Sequence, residues 1–172
     1  LRPAKLSFAC SAHFLDHVDV LNLTEAQRAL LGELPDPVLR QTVRDLMCNA
    51  HFRRDYWVKG PRALDPVEKG ETLRRLRVVL ITARANIVLT VKGILGEATL
   101  NEEVYRPIID ALADHQPKSL GEIEVQAASV GVTFAQLLEA LLILVGKGDA
   151  AMAQPHDVVE RLAPRTARLN RH

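Results

Sequence analysis

Thr133-Phe134-Ala135-Gln136-Leu137-Leu138-Glu139-Ala140-Leu141-Leu142-Ile143-Leu144-Val145-Gly146-Lys147-Gly148 carries both of its ends in its own sequence. Thr133 and Gln136 have the Thr-x-x-Gln spacing of a capping box, and Gly146-Lys147-Gly148 breaks the run, so the stretch predicts a helix reaching Val145. Phe134, Leu137, Leu138, Leu141, Leu142 and Val145 form its core stripe, and Ala135, Ala140, Ile143 and Leu144 extend the apolar surface around most of the circumference. Such a helix is buried on several sides.

Working outward, Ser119-Leu120-Gly121-Glu122 is a second capping box and opens a short helix that stops near Gly131. Before it, Asn101 caps a helix with Glu102 and Glu103 in the favourable first turn and Val104, Ile108, Ile109 and Leu112 on one face, ended by Pro117. After the long helix, residues 149–154 read as a wing-like strand before Pro155. Helix, short helix, longer helix and strand make residues 101–154 a winged-helix-like module. Residues 155–172 look like one ragged, Arg-rich helical extension.

Upstream, Arg77-Val78-Val79-Leu80-Ile81-Thr82 and Ile87-Val88-Leu89-Thr90-Val91 are β-branched runs with a short connection, which predicts a β-hairpin over 77–91. Asp65 and Pro66 open a short helix that Gly70 weakens. Residues 1–51 read as helical and loop material. A third capping box, Thr24 to Gln27, starts one helix that Pro35 stops, and Asp36-Pro37 starts a second whose Leu39, Val43, Leu46 and Met47 share a face. The fold expected is therefore α+β and mostly helical: a helical hairpin and β-hairpin region followed by the winged-helix-like module.

The 172 residues are 48% apolar and carry a formal net charge of +1, which excludes a disordered tail and gives no overall pull toward nucleic acid or anionic membrane. Leu137 to Val145, the longest apolar stretch, is broken by Glu139 and falls far short of the roughly 20 residues of a bilayer span. Two cysteines, Cys10 and Cys48, and no cationic leader argue against a disulfide-stapled secreted scaffold; a cytoplasmic setting is expected. The opening Leu1-Arg2-Pro3, without Met, reads as an excised piece of something longer.

A winged helix invites a DNA-binding reading, but the long helix offers base edges only Gln136 and Glu139. Residues 97–139 carry a net −6, which repels phosphate, so nucleic acid is not the expected partner. Residues 53–84 carry a net +5. The two segments are complementary: either they meet one another or solvent, or the basic one serves an acidic partner.

Phe52-Arg53-Arg54-Asp55-Tyr56-Trp57-Val58-Lys59-Gly60 packs three of the chain's seven aromatics into six residues beside three cations. Aromatics interleaved with Arg stack on bases or anchor a domain interface. In a chain this poor in aromatics the interface reading is preferred, with Phe52, Arg53, Arg54, Tyr56, Trp57, Lys59 and Arg62 as the interaction residues.

His13 and His17, with Asp16 and Asp19 nearby, would share a face if helical, but no third ligand is specified, so no metal site is assigned. Cys10 and Cys48 have no Cys-x-x-Cys partner and are read as small buried hydrophobes. Lys92-Gly93-Ile94-Leu95-Gly96-Glu97 lacks the spacing of a phosphate or dinucleotide loop, and no nucleophile elbow occurs. No catalytic or cofactor-binding residue is assigned, and no cofactor is expected.

Asn49-Ala50-His51 through Gly60, Arg77-Val78-Val79-Leu80, and Val104-Tyr105-Arg106-Pro107-Ile108-Ile109-Asp110-Ala111-Leu112 with Ser119-Leu120-Gly121-Glu122 resemble the bacterial methyltransferase regulatory domain. The resemblance covers roughly residues 1–154 and is most specific at 49–62. In that family the domain follows an S-adenosylmethionine-binding methyltransferase domain in the same polypeptide, and some relatives are protein lysine methyltransferases. It implies a helical connector over 1–51, the regulatory domain over 52–154 and an extension over 155–172. The implied role is not enzymatic by itself, with the catalytic domain of the same polypeptide or its protein substrate as partner. Two alternatives stay open: a winged-helix transcription regulator that binds duplex DNA, and a scaffold that forms a homo-oligomer through Tyr56 and Trp57.

Overall fold

The computed structural model describes residues 4–169; the quoted Leu1-Arg2-Pro3 and the last three residues of the Arg-rich extension lie outside them. Helices account for 53% of the described residues and strands for 18%, in small antiparallel sheets, so the α+β, mostly helical class is borne out.

The chain begins with β1 (Leu6–Ser11), a 3-10 turn (Phe14–His17) and the single-turn helix α1 (Asp19–Asn22). The helical hairpin follows as α2 (Glu25–Glu33) and α3 (Pro37–Met47). Thr24 accepts from the Gln27 amide while Gln27 reaches back, and Asp36 accepts from the Val38 amide with Pro37 at the first helical position. These local contacts satisfy amides that the first helical turn leaves unpaired. β2 (Asp55–Lys59) then returns to pair antiparallel with β1, from Leu6 opposite Lys59 to Ser11 opposite Asp55, with an irregularity between Phe8 and Cys10. The expectation of helix and loop alone over 1–51 is corrected here. Leu6-Ser7-Phe8-Ala9-Cys10 alternates with period two, and its partner strand is supplied from beyond the helical hairpin.

After α4 (Pro66–Arg75), β3 (Arg77–Leu80) is the centre of a three-stranded sheet, flanked by β6 (Lys118–Ser119) and β7 (Ala150–Ala153). The predicted β-hairpin over 77–91 does not form. Val78 and Leu80, on one face of β3, are sealed at 0% and 1% exposure, and the two edges of the strand are taken by β6 and β7 and not by residues 87–91. Ile87 and Leu89 pack on the core without joining a strand. The hairpin lies further on, as β4 (Thr90–Gly93) against β5 (Gly96–Thr99), with Gly96 at φ 121° in the turn. The two glycines of the non-nucleotide Gly-Ile-Leu-Gly sequence are thus used in this turn.

α5 (Glu102–Ala111), α6 (Leu120–Ala128) and α7 (Phe134–Lys147) follow in the expected order. Both expected capping boxes form, and Gly148 closes α7 at φ 83°. Leu137, Ile143, Leu144, Ile108, Leu112 and Ile123 are all at most 2% exposed and make the centre of the core. β7 pairs with β3 from ahead of the helices, and the chain then enters α8 (His156–Leu169), so among the described residues no second wing strand follows.

The N-terminal part is seated on this core at two glycines. Leu15 rests on Gly146 of α7, and a Cβ at Gly93 of β4 would collide with the Leu21 carbonyl oxygen. Between them lies Asn22, 6% exposed: it donates to the Leu15 and Val18 carbonyls at 2.8 and 3.1 Å and accepts from the Ile94 amide at 3.3 Å. A buried amide satisfied from two directions orients α1 as well as holding it.

Candidate interaction site

The ribbon of β1 and β2 lies across the start of α3 and leaves a groove of about 610 Å³ between them. Leu6, Phe8 and Trp57 line one wall, Pro37 and Val38 the other. Phe8 opposes Trp57 across the ribbon, and their rings meet edge to face at 5.8 Å and 71°.

Arg53 sits at the end of the groove. Its guanidinium pairs with Asp45 of α3 and with Asp55 of β2, the latter at 2.8 Å, and lies 5.1 Å from the centre of the Phe8 ring. The two carboxylates outweigh the cost of partial burial and hold its pKa above the ordinary arginine value. One planar fork therefore ties α3 to the ribbon.

The structure distributes the expected interaction residues unevenly. Arg53 and Trp57 meet in the groove. Tyr56, 62% exposed, alternates to the opposite face of the ribbon, and Phe52, 98% exposed, stands in solvent just before β2. Arg54 and Lys59 are exposed, and Arg62 is drawn aside to Glu68. Leu6, Phe8, Pro37 and Val38 complete the surface and are absent from the sequence-derived set. Their signal was the period-two pattern of β1, legible only once β2 is known to pair with it. α3 buries no residue completely, and its Leu39 and Leu46 are 46% and 78% exposed, so an apolar strip of that helix faces outward beside the groove.

The charged segments meet one another at several points. Arg74 holds Glu124 through two hydrogen bonds of 2.6 and 2.9 Å and covers the Phe134 ring at 4.3 Å; Arg84 pairs with Asp110, and Arg77 donates to the Pro117 carbonyl at 2.7 Å. These contacts depress the Glu124 and Asp110 pKa values, with the arginine hydrogen bond as the main cause in each.

On α7, Leu137, Ala140, Leu141, Ile143 and Leu144 are buried, while Ala135, Gln136 and Glu139 are exposed. Lys147 is engaged by the Val88 carbonyl and by Asp149. His17 contacts the Ser11 carbonyl at 2.9 Å and His13 lies 3.5 Å from Asp16, each occupied locally. Cys10 and Cys48 are half-buried and unbridged, and burial pushes the Cys48 thiol up.

Residues 1–59, which contain the ribbon, the helical hairpin and Arg53, match the family model described as the predicted methyltransferase regulatory domain. This is the family the sequence resembles. The match to the methyltransferase regulatory domain ends at the last residue of β2, so it falls on the segment that builds the groove. An uncharacterized protein of Synechocystis sp. (strain ATCC 27184 / PCC 6803 / Kazusa) is 42% identical over 148 residues, 86% of this chain. The chain spans 29% of that relative's length. Among solved structures, PKMT2 from Rickettsia typhi shares the fold with a TM-score of 0.52 and 13% identity, over 89% of this chain and 34% of its own. No helix among the described residues is long and apolar enough to cross a membrane.

Proposed function

We propose that this chain is a non-catalytic regulatory segment of an S-adenosylmethionine-dependent methyltransferase, and that it works by contact through the face made of the β1–β2 ribbon and α3. The observation that carries this reading is an apolar surface inside the family-matched segment: a groove walled by Phe8, Trp57 and Val38, with Phe52, Leu39 and Leu46 exposed beside it. Exposed apolar residues gathered around a rigid aromatic anchor are what an interface presents. Both the Synechocystis relative and the Rickettsia structure are about three times as long as the part this chain matches, which leaves room for a cofactor-binding catalytic domain in the same polypeptide. That domain, or the protein it methylates, is the partner proposed, in a cytoplasmic setting.

Calorimetric titration of the chain with S-adenosylmethionine is expected to give no heat, and a micromolar site would overturn the non-catalytic assignment. Sequencing upstream in the same reading frame is expected to find a strand, Gly-rich loop and helix of cofactor-binding type.

A further inference from the structure

A second concavity, of about 530 Å³, opens on a different face, between the first turns of α5 and α7, the β5 end of the hairpin and α1. Leu100, Val104, Ala140 and Ile143 give it an apolar wall, and Thr99, Asn101 and Gln136 a polar one. Tyr105 lines it and is 6% exposed, and its hydroxyl makes no hydrogen bond among the described residues. A largely buried phenol at the lining of a cavity offers a hydroxyl that can donate to or accept from an incoming polar group.

The sign of the charge at the mouth selects that partner. Glu139 lines the pocket, and Glu102 and Glu103 belong to the same first turn of α5 as Val104. Arg106, the nearest cation in sequence, is bound to Glu102 at 2.6 Å. Two helix N-termini at one pocket would ordinarily favour an anion. Here each is capped internally, by Thr133 on the Gln136 amide and by Asn101 on the Glu103 amide, and the one charged side chain in the lining is the Glu139 carboxylate.

We infer that this pocket is a binding site for a long cationic side chain, lysine or arginine, presented by a partner polypeptide. The aliphatic stem lies along Val104 and Ile143, and the charged head meets the Tyr105 hydroxyl and the Glu139 carboxylate. Long basic side chains divide in this way between an apolar wall and a polar rim. This site shares no residue with the groove of the proposed contact face, and it stands or falls independently of that reading.

The test is an NMR titration of the isotope-labelled chain with the amides of Nα-acetyl-lysine and Nα-acetyl-arginine, against that of the uncharged Nα-acetyl-norleucine. Saturable shifts at Leu100, Val104, Tyr105 and Ile143 are expected with the cations, and affinity for norleucine is expected to be weaker by about fivefold or more. Tyr105→Phe, which keeps the ring and hence the packing, and Glu139→Gln, at an exposed position, should each weaken lysine binding by about two- to fivefold. Three results would overturn the inference: no saturable shift at these residues, norleucine binding as tightly as lysine, or both variants binding like wild type. Shifts at the same residues produced by raising the chain's own concentration would also overturn it, by showing that a second copy is the occupant.

Discussion

Leu15 sits on Gly146 so closely that a Cβ there would stand 2.7 Å from both its Cγ and its Cδ2. Gly146→Ala gains helix propensity of about 1 kcal/mol but forces this contact apart, at about 1–3 kcal/mol. A net loss in urea unfolding is expected. Adding Leu15→Ala should remove the clash, so the double variant loses less than the sum of the singles. Gly32→Ala in α2, with open space around it, should instead gain about 0.5–1 kcal/mol.

Asn22 is the buried polar link between the N-terminal part and the β4–β5 hairpin. Asn22→Leu leaves the Ile94 amide without its partner, while the Leu15 and Val18 carbonyls each lose one donor and keep the Val18 and Leu21 amides. A loss of about 1–3 kcal/mol is expected by chemical denaturation. Amide hydrogen exchange at Ile94 should accelerate in the same variant.

Arg53→Lys keeps the charge but loses the planar fork that spans Asp45 and Asp55, and with it the stacking on Phe8. A cost of about 1–2 kcal/mol is expected, with a change in Trp57 fluorescence as the groove wall loosens.

Phe52→Ser and Tyr56→Ser change residues that are 98% and 62% exposed. Thermal stability should stay within about 0.5 kcal/mol of wild type, while association with a methyltransferase catalytic domain weakens. Equal loss of both properties would make these residues structural. Sizing Trp57→Ala against wild type tests the scaffold alternative, for which a fall in mass is required.

Asp110 and Glu124 are held below the usual carboxylate range by Arg84 and Arg74, and Glu122 by its hydrogen bonds to Ser119. A carboxyl whose folded pKa is depressed adds stability that is present above its unfolded value, about 4, and is lost as pH falls through the folded one. Stability should therefore decline below about pH 4.5. Glu122→Gln should flatten part of that decline, and because the group is nearly exposed the effect should be no more than about 1 kcal/mol.

The features legible in the sequence are those written within a few residues. The capping boxes at Thr24, Ser119 and Thr133 each join a side chain to an amide three positions on, and all three helices start where the spacing puts them. The strand pairings were not legible. Arg77–Leu80 finds partners at Lys118–Ser119 and Ala150–Ala153, and no local pattern names an edge so far away. The aromatic and basic block at 52–62 was visible as composition. Its division into a groove wall, a solvent-facing ring and an ion-paired hub depends on β1, whose short alternation gains meaning only from β2.

The pairing of β1 with β2 also fixes an order of events during synthesis. Leu6–Ser11 leaves the ribosome first, yet Asp55–Lys59 must follow before its edge is covered. At translation speeds of about 5–20 residues per second, the nascent strand waits several seconds with Leu6 and Phe8 uncovered. Nearly the whole of α2 and α3 is available to fold in that interval. The residues of the helical hairpin are thus all synthesised before the ribbon can close over them.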